Sequence, residues 1–218
     1  MNITENITFL LAEVPSYVTV EAAVKTRTAE EIIEAIEAGI RVIGENYVQE
    51  AARVKSEVNL PAEWHFIGHL QKNKVKTAIE LFDMIETVDS IELAGEIDKR
   101  SAQAGKIMPV LIEVNSGREA QKSGVMPEEV EGLIKNISGL INVRVCGLMT
   151  MGPAGCSSEA YRRCFRETKQ LFDHLKHLNL PGVDMKILSM GMTDSWREAI
   201  EEGSTMIRIG SLIFGERN

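Results

Sequence analysis

Lys25 stands alone in a short apolar run, V-T-V-E-A-A-V-K-T-R-T over residues 18–28. Val and Ala at that density, closed by a Thr/Arg turn, read as a buried strand with the lysine at its carboxyl end. An amine at the mouth of a barrel or crevice can lose its proton and attack a carbonyl carbon. The plainer alternative is a strand-end lysine that snorkels into water. The choice depends on what the other strand ends carry. In chain order they offer Glu45-Asn46, Gly68-His69, Asp89, Asn115, Met149-Thr150, Ser189-Met190-Gly191 and Arg208-Ile209-Gly210-Ser211. Together with Lys25 these supply one amine, a set of hydrogen-bonding groups, one arginine and glycine-bearing loops.

The elements that must position these groups alternate. Strand-like runs fall at 18–24, 41–43, 64–67, 84–87, 108–115, 142–149, 185–189 and 205–208, behind an amphipathic N-terminal helix. Helices are expected from about residues 29, 46, 71, 90, 127, 157 and 194. Their start signals include Asp89 or Ser90 before an apolar stripe, Pro127 with Glu128 and Glu129, and Ser157-Ser158-Glu159. Gly39, Gly105, Gly139 and Gly203 fall where helices should stop. Eight such alternations predict an α/β fold, a single (β/α)8 TIM barrel with an extra N-terminal helix. An open doubly wound sheet is the competitor, but no G-x-G-x-x-G follows the first strand. The soft segment at 152–158 (G-P-A-G-C-S-S) reads as a surface excursion, and no linker divides residues 1–218, taken here as one domain.

Composition narrows the function classes. The chain has 218 residues, 44% hydrophobic and 26% charged, ordinary for a soluble globular protein. A net charge of −8 argues against a nucleic-acid partner. The cysteines, Cys146, Cys156 and Cys164, are odd in number without a C-x-x-C pair, so neither a disulfide framework nor a zinc site is implied. No basic leader with a long apolar core opens the sequence, and no later run is long enough to span a bilayer. A cytoplasmic location with no membrane association is expected.

In a barrel of this kind the loops after strands seven and eight are the usual phosphate site. Backbone N–H groups beside Gly191 and Gly210, with the hydroxyls of Ser189 and Ser211, suit an anion there. The layout therefore suggests a phosphorylated carbonyl compound held between Lys25 and the final two loops.

Several motifs carry a resemblance. They are V-K-T at 24–26, A-G-I-R-V-I-G-E-N-Y-V-Q-E at 38–50, W-H-F-I-G-H-L-Q-K-N-K at 64–74, G-L-M-T at 147–150, L-S-M-G-M-T at 188–193 and I-R-I-G-S-L-I-F-G at 207–215. In this order and spacing they resemble the pyridoxal-phosphate homeostasis proteins, from about residue 18 to 217. That family is similar to the N-terminal domain of bacterial alanine racemase. The resemblance implies that pyridoxal 5′-phosphate (PLP) forms an internal aldimine, a Schiff base, with Lys25. It implies that Ser189, Met190, Gly191, Gly210 and Ser211 border the phosphate and that Arg208 faces the pyridine nitrogen. Asn46, His69 and Met149 match positions lining the pocket. Two departures stand out: Val24 directly precedes the lysine where the family often has serine, and G-M-T-D-S at 191–195 replaces the family's G-M-S-x-D.

The implied function is PLP homeostasis, in which PLP is held and then protected or delivered, with PLP-dependent apoenzymes as recipients and no robust catalysis. An amino-acid racemase is the alternative. Racemisation needs an acid–base on each face of the substrate. Lys25 serves one face, and in alanine racemase the other comes from a tyrosine of a partner's second domain. The last motif here lies close to Asn218, so no second domain is expected, and Tyr17, Tyr47 and Tyr161 show no catalytic placement. The same expectation makes the chain a monomer. A Schiff-base aldolase would leave the motifs unexplained. An arginine at a pyridine nitrogen keeps the ring unprotonated and a poor electron sink, which discourages carbanion chemistry. His69 suits either ligand contact or packing, Asn46 either a helix cap or a ligand contact, and Met149 and Met190 either core or pocket. Lys72, Lys74 and Lys76 read as a solvated face or as an attractor for cofactor or recipient enzyme.

Overall fold

The strand–helix rhythm closes on itself. The computed structural model describes residues 2–153 and 155–216; the soft segment at 152–158 is thus described except for residue 154, and residue 217 of the last motif region lies outside the described residues. Among the described residues the strands are β1 (Thr19–Ala23), β2 (Val42–Glu45), β3 (Glu63–Phe66), β4 (Met84–Val88), β5 (Met108–Val114), β6 (Val143–Thr150), β7 (Val183–Ser189) and β8 (Met206–Ile209). Each pairs in parallel with its sequence neighbours, and β8 returns to pair with β1, closing an eight-stranded barrel. The pattern is the (β/α)8 barrel expected.

The helices are α1 (Ile3–Glu13), α2 (Ala29–Glu37), α3 (Val48–Lys55), α4 (Val75–Leu81), α5 (Ile91–Ala104), α6 (Val130–Ile137), α7 (Ser158–His177), α8 (Trp196–Glu201) and α9 (Ser211–Phe214). Capping explains several starts. Thr28 and Glu31 form a reciprocal capping box at α2, Ser90 accepts from Leu93 N at α5, and Ser157 accepts from Ala160 N at α7. Gly105 ends α5 in a left-handed conformation at φ 67°.

α1 is the extra N-terminal helix expected, and it packs over the seam of the barrel. The helix after β8, α9, has only four residues, too short to cover the seam between β8 and β1. α1 takes that place. Thr4 Oγ1 donates to Glu34 Oε1 of α2 at 3.0 Å, Asn6 Nδ2 donates to Ile213 O of α9 at 2.9 Å, and Glu13 lies 3.5 Å from Arg197 of α8. Its buried Ile7 and Leu10 then complete the apolar layer between strands and helices.

Four helix starts fall two or more residues later than the sequence suggested; short 3-10 turns at Lys72–Lys74 and Pro127–Glu129 precede α4 and α6. α3 begins at Val48 with Tyr47 as its cap residue, so Asn46 is not the cap. The reason is Glu45, whose Oε1 accepts from Asn46 N at 2.7 Å and Tyr47 N at 3.2 Å and holds both outside the helix. α8 begins at Trp196 with no side-chain cap. The Ser195 hydroxyl turns back to accept from Met192 N, and Thr193 Oγ1 accepts from Leu212 N across the loop.

Candidate functional site

Lys25 lies in a turn two residues past the end of β1 and is half-buried. The turn is held from both sides. Thr26 adopts φ 67°, an uncommon and strained state for a β-branched residue, while its N–H donates to Glu50 Oε2 at 3.0 Å. On the other side Arg27 donates from Nη2 to Gly215 O at 2.9 Å, lies 5.3 Å from the Phe214 ring centre and pairs with Glu31 at 3.3 Å. The lysine is thereby fixed where the first and last turns of the barrel meet. Its positive charge reaches Glu45, whose carboxyl burial pushes up to about 7 against the N–H bonds of Asn46 and Tyr47.

The loops after β7 and β8 join beside this turn. Arg208 N donates to Gly191 O at 3.0 Å, and Ser211 Oγ to Thr193 Oγ1 at 3.3 Å. Gly191 has φ 93°, and a Cβ there would stand 2.5 Å from Ala199 Cβ, so only glycine lets the loop pass α8. Gly210 heads α9 without a side-chain cap, and a Cβ on it would come within 3.6 Å of Ala23 O, the end of the strand leading to Lys25. Gly191, Gly210 and Ser211 are thus gathered in adjoining loops, and the Gly210 end lies against the strand that leads to Lys25.

Beneath them lies a buried ionic network of which the sequence patterns showed only Arg208 and Ser189. Arg208 Nη1 donates to Ser189 Oγ at 2.6 Å and to Ser189 O at 2.9 Å, and Nη2 donates to Thr150 O at 2.8 Å. Ser189 Oγ donates to Glu86 Oε2 at 2.8 Å. Glu86 Oε1 is 2.8 Å from His65 Nδ1, and Glu21 Oε1 is 3.4 Å from the same nitrogen without a hydrogen bond. Glu21 and Glu86 are wholly buried, and His65 and Arg208 nearly so. Burial is the largest influence on each titrating group. It pushes Glu21 up to about 7, with the Glu86 charge adding to it and His65 opposing. For Glu86 the His65 contact and the Arg208 charge outweigh burial and hold the carboxyl below its ordinary value. For His65 the two glutamates outweigh burial and raise it to about 10. Period-two alternation along β1, β3 and β4 is the signal that places Glu21, His65 and Glu86 on strands, but it reads equally as a polar outer face.

The remaining sequence candidates separate into two places. Met149 and Met190 are wholly buried; Met149 packs with Met84 and Leu111 in a small apolar cluster. Asn46 and His69 instead line a cleft of about 230 Å³ with Tyr47, Phe66, Gln71 and Lys74. His69 is exposed and also borders a cleft of about 500 Å³ with Gln71, Lys72, Asn73, Asp89 and Ser90. Lys72 and Lys74 therefore flank clefts at the carboxyl end of β3. Tyr47 is 52% exposed, whereas Tyr161 is buried and stacks on Phe165 with ring centres 5.9 Å apart. Glu113, near the end of β5, is also buried; burial first and Asp89 second push it up to about 7, with Arg208 opposing.

Comparison with known proteins places this geometry. The family model described as alanine racemase, N-terminal domain, matches residues 1–218. The pyridoxal phosphate homeostasis protein of Aquifex aeolicus (strain VF5) is 43% identical over 196 residues, covering 89% of this chain and 85% of that protein. The solved structure of PipY from Synechococcus elongatus PCC7942 without PLP superposes with a TM-score of 0.93 at 34% identity, covering 98% of this chain and 100% of that one. Its PLP-bound structure gives a TM-score of 0.91 at 32% identity, with 98% of this chain and 100% of that chain covered. Alanine racemase of Clostridium difficile 630 shares the fold at 16% identity, with a TM-score of 0.83; 99% of this chain covers 57% of that one.

Proposed function

Because this chain belongs to the alanine racemase N-terminal-domain family, among relatives named pyridoxal phosphate homeostasis proteins, we propose that it binds pyridoxal 5′-phosphate in intracellular PLP homeostasis. The observation that carries the reading is the meeting of the Lys25 turn with the glycine loops after β7 and β8, above the buried guanidinium of Arg208.

The donor set fits the cofactor. PLP presents a phosphate, an aldehyde and a ring nitrogen acceptor, and when bound it supplies an aldehyde carbon that an amine captures covalently and reversibly. Lys25 is the amine that takes it. Gly191, Gly210 and Ser211 would border the phosphate, beside the start of α9, which has no side-chain cap. Arg208, which can only donate, faces the ring nitrogen and keeps it unprotonated. Ser189 and Met190 support this end from beneath, since the Ser189 hydroxyl is already committed to Glu86 and Arg208. Asn46 and His69 would reach the cofactor from the cleft they line, and Met149 would back the site from its buried apolar cluster.

The chain holds PLP and passes it to PLP-dependent apoenzymes, working as a cytoplasmic monomer and one domain. No helix among the described residues is long and apolar enough to cross a membrane. Among the described residues the exposed large apolar side chains are Phe9 and Leu11 on α1, Tyr17, Tyr47, Ile107 and Ile141; apart from the two on α1 they fall in separate parts of the chain, which suits a monomer. Sedimentation as a stable dimer would remove that part. Racemisation, the alternative, predicts loss of α-deuterium from amino acids at enzyme-like rates.

The deciding experiment mixes the purified protein with PLP and follows its visible absorption before and after borohydride reduction. A new band, trapped by reduction as a mass adduct on Lys25 and lost in Lys25→Ala, is expected. A colourless mixture, or an adduct on another lysine with Lys25 unlabelled, overturns the reading.

A further inference from the structure

We propose that His65 is a positioning residue held as an imidazolium inside the barrel, where it keeps Glu86 ionised so that Glu86, through the Ser189 hydroxyl, fixes the guanidinium of Arg208. This rests on the reading of Arg208 as the group facing the bound ring, and it extends that reading to His65 and Glu86, which are buried behind Ser189.

Proton inventory sets the direction of the chain. Arginine only donates, so Ser189 Oγ must accept from Arg208 Nη1 at 2.6 Å. The single hydroxyl proton is then directed to Glu86 Oε2 at 2.8 Å. Glu86 Oε2 therefore carries no proton, since a proton on it would leave two donors facing each other. The other Glu86 oxygen lies 2.8 Å from His65 Nδ1, so one proton sits between them, and the Arg208 charge, which favours the ionised carboxylate, places it on the nitrogen.

Every charged group facing the imidazole favours its cation. Glu86 on β4 and Glu21 on β1 approach Nδ1 at 2.8 and 3.4 Å, and Glu63 on β3 lies 3.6 Å from Nε2. Arg208 on β8 acts on both buried glutamates. With His65 cationic, His65 and Arg208 balance Glu86 and, above about pH 7 where it ionises, Glu21, and the buried cluster is then neutral. The upward shift of His65 to about 10 agrees.

Ligand atoms of Glu21, His65 and Glu86 also lie within 4.8 Å of one another, a spacing that a metal ion can bridge. With both glutamates ionised, a divalent ion beside a neutral His65 would leave the cluster, Arg208 included, with a net charge of +1. Charge balance therefore favours the proton, and the metal becomes an outcome of the test.

The experiment uses ¹⁵N-histidine labelling of the cofactor-free protein, in which the four histidines are separated by single substitutions. His65 is expected to show two protonated nitrogens from about pH 6 to 9, beyond the range of an ordinary histidine. Glu86→Gln should lose that signature while circular dichroism stays unchanged. Ser189→Ala should keep the signature yet weaken PLP binding on the order of tenfold, as loss of an outer-shell partner does elsewhere. A neutral His65 at pH 7 overturns the proposal, as does a zinc-dependent shift of its resonances, or Ser189→Ala binding as tightly as the parent. If PLP fails to bind the parent protein while His65 is cationic, the cofactor reading falls and the link to binding falls with it, leaving a buried ion cluster.

Discussion

Gly44 faces the carboxyl of Glu21 across the paired strands β1 and β2. A Cβ at position 44 would stand 2.8 Å from Glu21 Cδ and equally close to Ile67 Cδ1. The missing side chain is what lets a glutamate lie wholly inside the barrel. Gly44→Ala should therefore destabilise the fold by about 1–3 kcal/mol through overpacking. Gly95, inside α5, gives the contrast, since a methyl group added there would meet nothing within 4 Å. Gly95→Ala should stabilise by ~0.5–1 kcal/mol, and urea unfolding of the two variants reads both signs.

Glu113 should make stability fall as pH rises. Its carboxyl is raised from 4.5 to about 7 in the folded chain, so the folded state binds the proton more tightly than the unfolded one. The stability this group contributes is complete below 4.5 and is lost as pH climbs through about 7. Glu113→Gln should show less of that loss between pH 4.5 and 8, with a difference from the parent of about 1–3 kcal/mol across the range. Parallel stability profiles in urea titrations at the two pH values would contradict it.

Removing Arg208 should cost more than removing its hydroxyl partner. Arg208→Met leaves Glu86 charged and buried with Ser189 facing no cation, and should destabilise by about 3–5 kcal/mol. Ser189→Ala leaves Arg208 bonded to Ser189 O and Thr150 O, and should destabilise by only ~1–3 kcal/mol. Thermal unfolding of the cofactor-free variants reads the order, and equal losses would show that the network does not depend on the guanidinium.

Arg27 ties the Lys25 turn to the residues after β8 by two contacts, Gly215 O and the Phe214 ring, and to α2 by a third, Glu31. Arg27→Ala should cost about 1 kcal/mol of stability and speed amide exchange selectively in the turn at residues 25–27. Uniform exchange rates, or an effect confined to α2, would mean that the turn is held without it.

The residues of β1 to β8 were readable from the chain because short Val- and Ile-rich runs between capped helices carry a periodicity that local chemistry enforces. Lys25, Gly191, Arg208 and Gly210 were readable for a related reason: each sits at the end of such a run, where a parallel barrel gathers its loops. Only the tertiary structure decided the rest. α1 became a member of the ring because α9 is too short to cover the seam, a question of space between elements distant in sequence. Asn46 lost its place as a cap because Glu45 reaches the donors first. Glu21, His65 and Glu86 alternate with apolar neighbours as outward polar residues do. Strand closure turns them inward, where the absence of water makes each charge depend on the next.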